Sequence, residues 1–142
     1  MNITEIRIKL VSGGRDKLRG YASLTLDDCL VIRDLKIIEG EQGLFVAMPS
    51  RKLQHRCPDC GGKNVLRARY CNDCGTRLEA GRGQPEGNGR ARLYADIAHP
   101  INQAGRDELQ RRVLAAFHEE LARSRRAGYV PHHFEDLDYP MV

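Results

Sequence analysis

Four cysteines carry the most specific chemistry in this sequence. They fall as Cys57-x2-Cys60-x10-Cys71-x2-Cys74, and each Cys-x-x-Cys pair is followed at once by glycine, Gly61 and Gly75. A Cys-x-x-Cys-Gly turn curls its backbone around an ion, and glycine supplies the positive φ that such a turn requires. Two of these turns deliver four sulfurs at about 2.3 Å in a tetrahedron, the closed geometry of structural zinc. An iron centre of rubredoxin type uses similar pairs and is the alternative. Four protein ligands leave no open position for water, which argues against catalytic zinc. One shared ion also explains two pairs at this separation better than thioredoxin-like redox work does. His55, two residues before Cys57, could substitute as a ligand, but four thiols suffice. The fifth cysteine, Cys29, stands in the apolar run "CLVIRDLKII" and is expected to be a small buried hydrophobe.

Charge concentrates around the cysteines. Residues 51–93 hold ten Lys/Arg against four Asp/Glu, a local excess of +6 in a chain whose net charge is +4, so the remainder is −2. Four thiolates around a divalent ion would remove two of those positive charges and leave the segment basic. Between the pairs, "KNVLRARY" reads as one strand of a knuckle hairpin, with Arg67 and Arg69 on a face opposite Leu66 and Tyr70. That face is either a phosphate-binding surface or the solvated side of a mini-domain.

The elements that must position this segment are β-rich. "EIRIKL" alternates strictly, with Ile6, Ile8 and Leu10 on one side, as a half-buried strand does. "SGGRDKLRG" reads as a polar connection. "YASLTLD" alternates again through Ala22, Leu24 and Leu26. "DDCLVIRDLKII", the turn "EGEQG" and the return strand "LFVAMPSRKL" make a hairpin. Asp27 and Asp28 are explained by turn chemistry rather than as an acid/base pair. "ARLYADIAHP" reads as a further strand stopped by Pro100.

One helix is expected in "INQAGRDELQRRVLAAFHEELARSRRAG", with Asn102 as N-cap, Asp107 and Glu108 in its early turns and Gly128 as its stop. Its apolar stripe is Leu109, Val113, Ala116, Phe117 and Leu121. Glu119 and Glu120 read as part of its solvated face. "GRGQPEGNGR" (81–90) reads as a flexible arm. In the tail, His132 and His133 are expected in a disordered segment.

The chain is 142 residues long with a charged fraction of 30%. No apolar run approaches the roughly 20 residues of a spanning helix. The opening "MNITEIRIKLV" lacks the pattern of a signal peptide. A cytoplasmic protein with no membrane partner is expected.

The segments "ASLTLDDCLVIRDLKIIEGEQGLFVAMPSRK" (22–52) and "DIAHPIN" (96–102) closely resemble the SpoVG family of bacterial regulators, also called septation proteins. The resemblance covers roughly residues 1–52 and 94–120. It implies an α+β fold, an antiparallel β-sheet with a C-terminal helix. It also implies a homodimer that binds DNA and/or RNA and regulates gene expression, and it implies no enzyme. In the usual pattern a short turn joins "PSRK" to "DIAHPI". Here about forty residues with the cysteine pairs replace it, a small zinc ribbon inserted at a hairpin tip. The expected organisation is core 1–53, ribbon and Gly-rich arm 54–90, core 91–127 and tail 128–142.

The resemblance points to the basic surface near "PSRK" and to the helix and its exit. In this chain these are Arg51, Lys52, Arg111, Arg112, Arg123, Arg125 and Arg126, to which the cysteine segment adds Arg67 and Arg69. His99 is expected to orient the turn into the helix. The leading expectation is a nucleic-acid-binding regulator with a structural Zn2+ ion. The alternative is a protein-interaction module linked to cell division or sporulation-type regulation. In it the ribbon, or the tail with Phe134, Leu137 and Tyr139, docks a protein partner.

Overall fold

Alternation along the first strands decides which side of the sheet is dry. In β1 (Ile3–Leu10), Ile8 is buried and Ile6 and Leu10 pack beside it; in β2 (Leu18–Leu26), Ala22, Leu24 and Leu26 are buried. β3 (Leu30–Gly40) and β4 (Gly43–Ala47) complete an antiparallel sheet of order β1-β2-β3-β4. This computed structural model describes residues 2–12, 16–79 and 92–132. The 81–90 arm, His133, Phe134, Leu137 and Tyr139 lie outside the described residues.

The turn between β2 and β3 is closed by the Cys29 N–H donating to Leu26 C=O at 3.0 Å. Its central residues, Asp27 and Asp28, have φ of 48° and 52°, the left-handed pair that a tight hairpin turn demands and that Asp tolerates. Cys29 is therefore exposed at a turn, not buried as expected. The apolar run begins only at Leu30, after the chain has reversed.

Three strand expectations also need correction. β2 starts at Leu18, inside the expected connection, because Leu18 and Gly20 pair with Ile38 and Ile37. The return strand breaks at Pro49: β4 stops at Ala47, and Ser50–Lys52 form a separate strand, β5. Proline has no N–H to donate, so a ladder cannot run through it. The strand expected in "ARLYADIAHP" is only Tyr94–Asp96.

The helix α1 (Gln103–Ser124) forms as expected. Asn102 is extended, and its side chain accepts from Gly105 N at 2.7 Å. Asp107 and Glu108 lie beyond the first turn, where Asp107 accepts from Gln103 at 2.7 Å. The helix packs against β1 and β4, and Val113 and Phe117 close the core over Ile8, Ala22, Leu24, Leu35 and Ile37.

Glu120 is not on a solvated face. It is buried, with both carboxylate oxygens bound by Arg123 (2.8 and 3.2 Å) and one by the Tyr129 hydroxyl at 2.6 Å. Burial pushes its carboxyl up, but the bonds from Arg123 and Tyr129 outweigh that and hold it below the ordinary value. Burial, with the carboxylate beside it, pushes the Tyr129 phenol up to about 12, so it remains a donor. The Arg123 guanidinium also lies over the Tyr129 ring, 5.1 Å from its centroid. His132, half-buried, sits 3.9 Å from Glu120, so it is part of this cluster. Glu120→Gln should lower stability by about 1–2 kcal/mol at neutral pH. A depressed carboxylate contributes stability above its unfolded value and loses it on titration downward. The difference between the two proteins should therefore fade as pH falls below about 4. Urea melts of both across that range check the sign.

The chain divides into two compact units, Met1–Pro49 with Ala98–Val142, and Ser50–Ile97. The seams lie a few residues outside the expected 54–90, because β5 pairs with Tyr94–Asp96 and neither joins the four-stranded sheet. Among the described residues no helix is long and apolar enough to cross a membrane.

Candidate metal centre and basic surfaces

In the second unit β5 pairs with the Tyr94–Asp96 strand (β8), and β6 (Gln54–Arg56) pairs with β7 (Lys63–Val65). β6 leads directly into Cys57. Each cysteine pair then closes the same way. Gly61 N donates to Cys57 O (2.9 Å) and Gly75 N to Cys71 O (3.0 Å). Cys57 N donates to Gly62 O and Cys71 N to Thr76 O, both at 2.8 Å. Gly61 and Gly75 have φ of 76° and 78°, so the glycines stand where a side chain would be strained.

The two turns face each other. The four Sγ atoms lie within 4.8 Å of one another, with Cys57–Cys74 at 3.7 Å and Cys60–Cys71 at 3.5 Å. A tetrahedron with metal–sulfur bonds of about 2.3 Å has edges of about 3.8 Å. These sulfurs are therefore placed close enough to bind a metal ion. Cys57 and Cys71 are buried, while Cys60 and Cys74 are exposed.

Amide donors already point at the sulfurs. Asp59 N meets Cys57 Sγ, Gly62 N meets Cys60 Sγ and Asp73 N meets Cys71 Sγ, each at 3.4 Å. The Cys74 amide and the Asn64 side chain lower the Cys71 thiol to about 6. The hydroxyl and amide of Thr76 lower Cys74. The Gly62 amide pulls Cys60 down, but hydrogen bonding among the sulfurs, first with Cys71, pushes it up to about 12. A bound cation would ionise the whole set.

Asn64 was missed in the sequence. It is buried between the turns, donates to Gly62 O (3.3 Å) and Cys71 Sγ (3.4 Å), and accepts from Asn72 N at 2.7 Å. Its only sequence signal is a polar residue between basic and apolar neighbours in a short strand. His55, opposite Asn64 in the β6–β7 ladder, is not among the clustered ligands; its two ring nitrogens are buried without a hydrogen-bond partner among the described residues. Chain direction also changes earlier than expected after β7. A turn closes through Ala68 N to Val65 O, so Leu66 is buried while Tyr70 is 62% exposed, and the two do not share a face.

The basic candidates divide between the units. Arg51 and Lys52 are exposed on β5, and Arg67 and Arg69 are exposed between β7 and Cys71. Lys52 and Arg67 line one cleft of about 120 Å³ with Leu53, Val65, Leu93 and Tyr94. The first unit carries the rest. Arg111 is exposed, and Arg112 is half-buried with Nη2 donating to Ile3 O at 3.1 Å. Arg123 is engaged by Glu120, and Arg125 and Arg126 are exposed beyond the helix. His99 Nδ1 lies 3.1 Å from Pro100 O at the entry to α1, away from any catalytic partner among the described contacts.

Comparison with known proteins places these features in a family. The SpoVG family model matches residues 1–119. A relative from Fusobacterium nucleatum is 57% identical over 56 residues, 39% of this chain and 60% of that protein. One from Lachnospira eligens is 37% identical over 117 residues, 82% of this chain and 91% of that protein. One from Anaeromyxobacter dehalogenans is 34% identical over 137 residues, 93% of this chain and 98% of that protein. All three carry the name "Putative septation protein SpoVG", which is not the name of an enzyme. A four-stranded antiparallel sheet under a C-terminal helix, matched over most of the chain by this family model, makes the protein a member of the SpoVG family.

Proposed function

We propose that this chain is a nucleic-acid-binding regulator of gene expression, working in the cytoplasm as a homodimer that binds DNA and/or RNA, and not as an enzyme. The carrying observation is the basic segment built on four clustered thiols. In this reading the thiols hold a structural zinc ion. The ion fixes the two turns, and Arg51, Lys52, Arg67 and Arg69 present planar forks and point charges to phosphates. Dimerisation would offer two such surfaces, and paired weak contacts gain through effective concentration.

Phosphate contacts release counterions, so affinity should fall steeply with salt, by a slope of about 0.9 per phosphate neutralised. Removing residues 54–90 should weaken binding to mixed-sequence DNA and RNA and flatten that slope. Unchanged affinity and slope in the deletion would show that the ribbon is not a contact surface.

The relatives' name favours one second reading, a protein-interaction role linked to division. Pull-downs with and without nuclease separate the two: partners that survive nuclease support docking.

A further inference from the structure

The helix covers one face of the four-stranded sheet, and the register shows what the other face carries. Lys9 pairs with Tyr21, Tyr21 with Lys36, and Lys36 with Ala47, a single row across all four strands. The adjoining row is Leu18, Ile38 and Phe45. The alternation that turns Ile8, Ala22, Ile37 and the half-buried Leu44 toward the helix turns these rows away from it, and none of their side chains is in the core cluster or among the hydrophobics packed against it.

Phe45 is held in place on that side. An added Cβ at Gly40 would stand 3.0 Å from Phe45 Cε1 and 3.2 Å from Cδ1, so the ring lies over the backbone that glycine leaves bare. It is nevertheless 41% exposed. Lys9 and Lys36 are exposed on either side of Tyr21 and have no ion-pair partner among the described residues. Glu5, an acid facing the same way on β1, is taken up by Arg7 at 2.7 Å.

We propose that this face, which the helix leaves free, is a platform for single-stranded nucleic acid, with bases stacking on Phe45 and Tyr21 and phosphates held by Lys9 and Lys36. The inference rests on the nucleic-acid reading above and adds a site and a strand preference to it. Every base has a π-face, so a fixed aromatic ring flanked by cations binds unpaired nucleotides with little regard to sequence. In a duplex those faces are stacked away, and a sheet-wide surface reaches only backbone. The charge on this face selects a polyanion over a second copy of the chain, which would set lysine against lysine.

The test is fluorescence anisotropy with labelled mixed-sequence single-stranded RNA and DNA and the matching duplex, on the full chain. Phe45→Ala should weaken single-strand binding about ten- to a hundred-fold, leave duplex binding unchanged, and be rescued by Phe45→Tyr. Lys9→Gln with Lys36→Gln should lower the single-strand salt slope by about 1.4. Should Phe45→Ala melt early, Phe45→Leu keeps an apolar side chain there without the ring and takes its place. If the wild type binds nucleic acid and these variants bind single strands equally well, the platform is wrong while the nucleic-acid reading stands. A wild type that binds no nucleic acid removes both. A Phe45 variant that alters only the sedimentation coefficient assigns the face to a second copy and overturns the proposal.

Discussion

Replacing Cys71 with serine should abolish stoichiometric zinc and unfold the Ser50–Ile97 unit while leaving the four-stranded unit intact. The magnitudes favour a total loss of order. Described apolar burial in the second unit is small: Leu66, Leu78, Cys57 and Cys71 are its buried members of that class. At about 1.5–3 kcal/mol for a large side chain, that burial cannot offset ordering costs of about 1–2 kcal/mol for each residue fixed. A structural zinc ion contributes about 10–16 kcal/mol, and in a unit this small its binding energy is the folding energy. Cys71 is the most exposing choice because it is buried and gathers the Asn64 side chain and the Asp73 and Cys74 amides. Asn64→Ala should be milder, costing about ten- to a hundred-fold in zinc affinity with the fold retained, as loss of a group that orients a ligand does. The core cluster of the other unit contains no residue of this one, so its melting should not move. Metal analysis and amide dispersion by NMR, with and without a chelator, check each statement. A chelator that unfolds the whole molecule in one cooperative step, or a purified chain with four free thiols and no ion, would sink it.

What was legible in the sequence is what local rules specify. Metal ligation needs two short turns, so Cys57 to Gly75 announces itself without knowledge of the rest of the fold. Alternation through Ile6, Ile8 and Leu10 and through Ala22, Leu24 and Leu26 gave the buried face, and Asn102 gave the helix start. Resemblance in "GLFVAMPSRK" and "DIAHPIN" supplied the family. The failures share a different cause. Cys29 was judged by its apolar neighbours, but two aspartates in left-handed geometry reverse the chain just before it. Glu120 looked like a surface acid because its partner Tyr129 lies beyond the helix, where periodicity carries no information. Asn64 is a ligand's support rather than a ligand, and a polar residue between a basic and an apolar neighbour is too common a pattern to mark it. The row on the sheet's second face is not legible in the sequence, because register across the strands lines up Lys9, Tyr21 and Lys36.

Phe117→Ala should cost about 3–5 kcal/mol, a large share of the roughly 5–15 kcal/mol that a domain of this kind has to lose. The residue is 3% exposed and, with Val113, is what the helix buries against the sheet. Its ring meets β2 at Gly20, where a Cβ would lie 3.6 and 3.7 Å from Phe117 Cε2 and Cδ2 and only 3.0 Å from the Lys9 carbonyl. The ring thus sits within ordinary contact reach of a central strand, and deleting it leaves a void lined by backbone that is tied into the β1–β2 and β2–β3 ladders and cannot close over it. Zinc content should stay unchanged, which separates this loss from that of Cys71→Ser. Urea unfolding followed by helix signal should show the midpoint falling at an unchanged slope. A cost under about 1 kcal/mol would mean that the site collapses freely, and the Phe117 ring could not then be what fixes the helix on the sheet.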